Sequence, residues 1–339
     1  MGDNILLAIE SSCDDTGVCV LKNGTKILSN VLASQIEVHE KYGGVVPEIA
    51  SRKHLESINY LIEKAVEKAD VLFSDLSAVA ATRGPGLIGA LLVGLCAGKA
   101  LSFSLDIPFI GVNHLKGHIF ANHLVYPDLK PPYMVLLVSG GHTQLIFIDE
   151  AYTFRTVGGT LDDAAGEAFD KGARILKLGY PGGPLIEKTA LNGNPAAVRF
   201  PRALREKGNF DFSFSGLKTS LLYYTKRNSE YNLQDVAASY QEAITDILVE
   251  KSFKAARKFL GGKNARETKK IVFAGGVASN QSLRQKAQKK GEKWGYQLYF
   301  PPIEYCTDNA AMIAAAGWER YKTKDFDTLM CEAKPSFPL

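Results

Sequence analysis

His114 and His118 stand four residues apart in NHLKGHIFANH, residues 113–123. On a helix, positions i and i+4 share a face, so both imidazoles can reach one cation. The same spacing suits one histidine that packs or caps and another that is exposed, and spacing alone leaves both readings open. The segment lacks the glutamate of HExxH, which argues against a zincin-type centre. His123 is a weaker third donor. A carboxylate remote in sequence and at a helix start, such as Asp308, suits better. Glycine turns are the second signal. Ser139-Gly140-Gly141 and Gly275-Gly276 each follow an apolar run. Amides in such turns can approach a phosphate or an adenosine with no Cβ in the way. Neither turn matches GxGxxG or the P-loop, so those nucleotide folds are disfavoured. Taken singly, each turn is equally a plain tight turn.

Two further segments carry charge in a pattern. In LDDAAGEAFDKGARIL, Asp163, Glu167 and Asp170 fall at i, i+4 and i+7 on one helical face, where Lys171 and Arg174 can also pair with them as a solvated surface. The PGGP that follows, residues 181–184, is a rigid loop able to wall a ligand pocket. RFPRALREKGNFDFSFSGLKTS mixes arginine and lysine with Phe200, Phe210, Phe212 and Phe214. Cations with aromatics suit RNA, where charge meets phosphate and rings meet bases. A surface loop whose rings fill the core has the same composition.

Strands and helices must position these residues, and the chain alternates them. Ile5 to Ile9 and Val18 to Leu21 read as a β-pair around SSCDDTG, and Tyr133 to Val138 and Thr143 to Ile148 as a pair around Ser139-Gly140-Gly141. A further short strand follows each pair, Lys26 to Ala33 and Phe154 to Gly158. The likeness of the two β-turn-β units suggests a duplicated α/β lobe. Helical patterns run from Pro47 to Ala69, from Gly86 to Leu105, and from about Asn232 through Leu260. Pro108 to Val112 is a short buried strand. Ile271 to Ala274 is a strand that leads through Gly275-Gly276 into a helix from about Ser279. Thr307 or Asp308 is the natural N-cap of an alanine-rich last helix.

Bulk properties narrow the class. The chain has 339 residues, enough for two domains. Forty basic against 36 acidic side chains leave a net charge of +4, which neither demands nor excludes nucleic acid. Five scattered cysteines without a CxxC pair disfavour a disulfide framework and a zinc ribbon. The start, MGDNILLAIESSCDD, lacks the basic region of a signal peptide. The apolar stretch Leu87 to Ala97 is broken by Gly89 and Gly94 and is too short for a bilayer span. A cytoplasmic protein with no membrane association is expected.

Together these segments closely resemble one family, the universal tRNA threonylcarbamoyladenosine-forming family, TsaD in bacteria. The resemblance runs over essentially the whole chain. KALSFSLDIPFIGVNHLKGHI, from Lys99 to Ile119, carries the family's HxxGH signature. IESSCDDTG, YGGVVPEIASRKH, TRGPGLIGALLVG, LLVSGGHTQL, GEAFDKGAR, YPGGP, FSFSGLKT, AGGVASN and CTDNAAM also stand in the family's order. The resemblance implies an α/β, actin-like (ASKHA) ATPase fold with two related lobes and a cleft between them. Its lobes would span residues 1–130 with 306–339, and 131–305. It implies transfer of threonylcarbamoyl from threonylcarbamoyl-AMP to N6 of adenosine 37, 3′ of the anticodon, in tRNAs reading codons that start with A, with AMP released.

It further implies a metal held by His114, His118 and Asp308, Fe2+ or Zn2+, and an adenine nucleotide (threonylcarbamoyl-AMP, ATP or ADP). Ligand contacts would fall on Leu137, Val138, Ser139, Gly140, Gly141, Asp170, Gly183 and Asn280. Glu187 stands where some relatives carry an aspartate contact. Ser139 and Asp170 are candidate catalytic positions, and Glu10 is a candidate general base because its turn faces the expected cleft. The implied partners are tRNA, a TsaB-like paralogue and a TsaE-like small ATPase. The alternatives are a metallopeptidase, the family's former O-sialoglycoprotein endopeptidase description, and a non-catalytic nucleotide-dependent scaffold.

Overall fold

ILLAIE is apolar at every position but the last, the pattern of a strand covered on both faces. In the computed structural model, which describes residues 2–228, 230–261 and 269–339, this segment is the central strand β1 (Ile5–Glu10) and is buried throughout. It is followed by β2 (Asp15–Lys22), β3 (Lys26–Ser34), the short α1 (Ile36–Glu40), α2 (Pro47–Ala69), β4 (Ala78–Gly84), α3 (Ile88–Leu105), β5 (Phe109–Asn113) and α4 (His114–Phe120). The second series is β6 (Tyr133–Val138), β7 (Thr143–Ile148), β8 (Phe154–Gly159), α5 (Ala165–Ile175), α6 (Gly182–Ala190), α7 (Ser215–Arg227), α8 (Leu233–Phe259), β9 (Lys269–Ala274), α9 (Gln281–Trp294) and β10 (Tyr296–Tyr299). The last helix is α10 (Ala310–Lys322).

The chain divides into two compact units, Met1–Leu129 with Thr307–Leu339, and Lys130–Cys306. Each holds a five-stranded sheet. The orders are β3-β2-β1-β4-β5 and β8-β7-β6-β9-β10. In both, the first three strands form an antiparallel meander and the last two add in parallel to the first. The duplication expected from the two β-turn-β units is therefore present strand for strand.

In the first unit α2 and α3 pack on one side of the sheet, and α10 packs against β1, β2 and β5. Ile5, Leu7 and Ile9 join Ile58, Leu61, Ala65 and Leu95 in one apolar cluster. In the second unit Met134, Leu136 and Val138 share a core with α5, α8 and the rings of Phe200, Phe210, Phe212 and Phe214. Those four rings are 8% exposed at most, so the basic-aromatic segment turns its aromatics inward and has none to offer to bases. Packing on the α8 core, rather than the flanking charge, decides their direction.

Helix α3 runs 18 residues inside the expected Gly86–Leu105 pattern, and its apolar character continues past Ala97, so it is the one helix among the described residues long and apolar enough to cross a membrane. Ala90, Leu91, Gly94, Leu95, Gly98 and Ser102 are its buried residues, and Gly98 approaches Ala81 and Phe109 of the sheet. Two further boundaries differ from expectation. A 3-10 turn at Gly276–Ser279 precedes α9, which starts at Gln281 because Asn280 caps it. The cap of α10 is Asn309, whose Oδ1 accepts the Met312 N–H, rather than Thr307 or Asp308.

Candidate metal centre and glycine loops

Two asparagine caps flank the histidine pair and its carboxylate. Asn113 ends β5, and its Oδ1 accepts the N–H groups of Leu115 and Lys116. Such a cap satisfies orphan amides of the first turn, and it starts α4 at His114. Asn309 does the same for α10 and leaves Asp308 just outside the helix. Gly117 lets the two helices meet, since a Cβ there would stand 2.9 Å from Ile313 Cδ1. That is the physical role of the glycine in HxxGH.

The result is a convergence of donors. One ligand atom from each of His114, His118 and Asp308 lies within 4.8 Å of the others. His118 Nε2 is 3.2 Å and His114 Nε2 3.5 Å from Asp308 Oδ1. His118 is 1% exposed, yet neither ring nitrogen makes a hydrogen bond among the described residues. The approach to Asp308 is close enough for an ion pair but lacks hydrogen-bond alignment. An unpaired buried polar group costs about 1–3 kcal/mol, so these residues fit a cation that all three donors address. His123 instead faces Glu319, 3.8 Å away, and Phe120, and is not part of the group.

Behind His114 stands Glu10. Glu10 Oε2 lies 3.1 Å from His114 Nδ1 and accepts the Thr82 hydroxyl at 2.7 Å, while Oε1 accepts the Ser12 N–H. Ser12 Oγ is 3.0 Å from the same His114 nitrogen. Glu10 is fully buried, with both oxygens engaged, so it does not have the free, substrate-facing carboxylate expected of a general base. It fixes the imidazole, as second carboxylates do for metal-bound histidines. Burial opposes charge on all three groups, but their mutual attraction outweighs it. His114 titrates well above the usual histidine value, against the charges of Asp308 and Glu10. His114 holds Glu10 below, and His114 with His118 holds Asp308 far below, the usual carboxylate range.

The turn that follows β1 is anchored by a residue the sequence reading did not single out. His54 of α2 is buried, with Nδ1 2.7 Å from Thr16 Oγ1 and Nε2 3.0 Å from the Cys13 carbonyl. Its signal was a polar residue within the apolar stripe Ala50, Ile58, Leu61 and Ala65 of α2.

In the second unit the expected ligand positions fall along one connected rim. Leu137 and Val138 are buried in β6. The Ser139 N–H closes the hairpin on the His142 carbonyl at 2.8 Å. The carbonyls of Ser139 and Gly140 accept the Gly166 and Glu167 N–H groups of α5, each at 3.2 Å. Asp170 Oδ1 takes the Gly182 N–H at 2.7 Å and so caps α6. Glu187 Oε1 takes the Gln281 N–H at the start of α9 at 2.6 Å. Asn280 is committed at both ends of its amide: Oδ1 caps α9 through Leu283 N–H, and Nδ2 donates to Gln241 at 2.7 Å. The acidic face proposed for α5 divides. Asp163 precedes the helix and shares Lys171 with Glu167, whereas Asp170 turns to α6.

Three glycines of this rim have no structural reason to be glycine. At Gly140, Gly141 and Gly183 an added Cβ would meet nothing within 4 Å, and none has a positive φ. The Gly140 and Gly141 amides donate to no partner among the described residues. The backbone is thus open where a ligand's oxygens can approach it.

The family model described as TsaD, tRNA N6-adenosine threonylcarbamoyltransferase, matches residues 26–315. The chain is 56% identical over 330 residues to the protein of that name from Kosmotoga olearia, with 97% of each chain covered. It is 51% identical to the one from Thermotoga neapolitana, with 98% of each covered. Among solved structures, full-length HypF in its phosphate- and nucleotide-bound form superposes with a TM-score of 0.63 at 14% identity, over 96% of this chain and 47% of that one. Component A of the (R)-2-hydroxyglutaryl-CoA dehydratase of Acidaminococcus fermentans superposes with a TM-score of 0.56 at 15% identity, over 94% and 98%. These likenesses carry the fold, which is actin-like.

Proposed function

The chain belongs to the tRNA N6-adenosine threonylcarbamoyltransferase family, and from that premise we propose how its residues serve the transfer. The enzyme modifies N6 of an adenosine in tRNA. We assign the acceptor to position 37 of tRNAs that read codons starting with A, and the donor to threonylcarbamoyl-AMP. The bond from N6 to the carbamoyl carbon forms as the bond from that carbon to the phosphate oxygen breaks; AMP leaves with the electron pair and N6 releases one proton to solvent.

The observation that carries this reading is His118, a buried imidazole without a hydrogen bond, aimed with His114 at Asp308. Two imidazoles and one carboxylate form a donor set that leaves coordination positions open. Fe2+ would suit this donor set best, and Zn2+ would share it. When bound, such an ion supplies Lewis-acid polarisation of a donor oxygen. Glu10 holds a proton on His114 Nδ1, which keeps the Nε2 lone pair directed to the ligand position.

In the second unit the Gly140 and Gly141 amides receive oxygens of the adenylate and oppose negative charge that develops there. Ser139 shapes that turn rather than donating its own amide. Asp170 and Glu187 fix the starts of α6 and α9, and Gly183 admits the nucleotide beside them. Asn280 sets the α9 end of the rim. A TsaB-like paralogue and a TsaE-like ATPase complete this reading as partner chains.

A metal analysis tests it. His118→Ala folds but loses the bound ion and the transfer together. Full occupancy in that variant would reject the ligand assignment.

A further inference from the structure

Helices α8 and α9 of the second unit enclose an open depression of about 680 Å³. Its wall carries seven cations against two carboxylates. The carboxylates are already shared. Asp246 binds Arg202 at 2.7 Å and also Lys286, and Glu250 binds Arg205 at 2.7 Å and Lys254 at 2.6 Å. Lys289, Lys290 and Lys293 remain, and none is in an ion pair among the described residues. Lys290 is half-buried, over the rings of Trp294 at 4.9 Å and Phe253 at 5.3 Å. Trp294 itself is 42% exposed.

Lysines in the last turns of a helix favour its dipole, and that accounts for some positive charge at the end of α9. It does not account for three uncompensated cations in a concavity, nor for a tryptophan left open beside them. Lys289 and Lys293 are one turn apart, about 6 Å along the axis, a spacing that can follow successive phosphates of a strand. A ring at the edge of such a track offers a stacking face for a base. The segment around Phe210 also sets cations over rings, but those rings are buried and leave no such open face.

We propose that this α8–α9 groove is a docking site for the phosphate backbone of the RNA substrate, outside the glycine loops and the metal centre. It rests on tRNA being the substrate. Lys289, Lys290 and Lys293 hold phosphates, and Trp294 stacks on an unpaired base or a helix end.

The test measures tRNA binding against salt, with transfer assayed in parallel. Each phosphate contact contributes about 0.7–0.9 to the slope of log affinity on log salt. The Lys289→Gln, Lys290→Gln, Lys293→Gln triple variant should lose about 2–3 units of slope and raise KM for tRNA with kcat unchanged. The same three positions changed to arginine should keep the slope. Trp294→Ala should weaken binding about tenfold without altering the slope, and Trp294→Phe should restore it. An unchanged slope and KM in the glutamine variant, while the wild type modifies tRNA, overturns the groove and leaves the transferase reading intact. Loss confined to anionic phosphatidylserine vesicles also overturns it. A wild type that neither binds nor modifies tRNA removes both.

Discussion

Glu10 Oε2 lies 3.1 Å from His114 Nδ1, inside a sheet interior that excludes water from the carboxylate. Strand β1 thereby reaches the candidate metal centre from behind, outside the group of His114, His118 and Asp308. Its last residue holds in place the imidazole that α4 carries.

Glu10→Gln should keep the fold and weaken metal binding about 10–100-fold, the range for losing a second carboxylate behind a ligating histidine. Competition titration with a chelator measures it. Undiminished affinity would mean that the pair serves packing alone.

Gly140→Ala and Gly183→Ala should change stability by less than about 0.5 kcal/mol, since their added methyl groups meet open space. The same variants should bind a non-hydrolysable threonylcarbamoyl-adenylate analogue at least about tenfold more weakly, a loss of roughly 1.4 kcal/mol. Calorimetry and thermal melts together decide this. Wild-type affinity in both variants would move the nucleotide away from these turns.

Asn280→Ala should destabilise the chain by about 1–2 kcal/mol, because it removes the α9 cap and the partner of Gln241. Asn280→Asp keeps the cap and should recover much of that in a urea titration. A stable Asn280→Ala protein with reduced nucleotide affinity would restore the side chain to ligand binding and contradict the geometry.

Asp15 predicts a pH dependence. Burial pushes its carboxyl up to about 7; a Ser34 hydrogen bond resists, and the charges of Asp14, Asp308 and Glu10 add to the rise. An acid with a raised folded pKa opposes folding once it ionises, so its contribution to stability falls between about pH 4 and pH 7. Asp15→Asn should therefore raise Tm at pH 8 and change it little at pH 4. Equal shifts at both pH values would exclude ionisation as the cause.

Much of the frame was legible in local chemistry. Helix α2 spans Pro47–Ala69 as the pattern predicts, with proline at its first turn and Ala50, Ile58, Leu61 and Ala65 on its buried stripe. Strands β6 and β7 likewise stand where two apolar runs met a glycine turn. β4 was missed because AVAATRG is rich in small residues that rank low as strand formers; its place between β1 and β5 makes it a strand.

The site was legible in residue type more than in role. Thr307, Asp308 and Asn309 can each cap a helix, and only the tertiary fold decides among them: Asn309 caps, which frees Asp308 for the histidines. Glu10 was a candidate base because its turn was expected to face a cleft, but the fold buries the carboxylate and engages both its oxygens. The phenylalanines near Arg202 looked suited to RNA because composition does not say which way a ring points.

The most direct test of the central claim is nucleoside mass spectrometry of tRNA after incubation with the chain, its partner proteins and threonylcarbamoyl-AMP. The wild type should yield N6-threonylcarbamoyladenosine and an equal amount of AMP, and a folded His118→Ala variant that still binds adenylate should yield neither. Metal-dependent cleavage of a glycoprotein, abolished by His118→Ala and with no modified nucleoside formed, would contradict the claim.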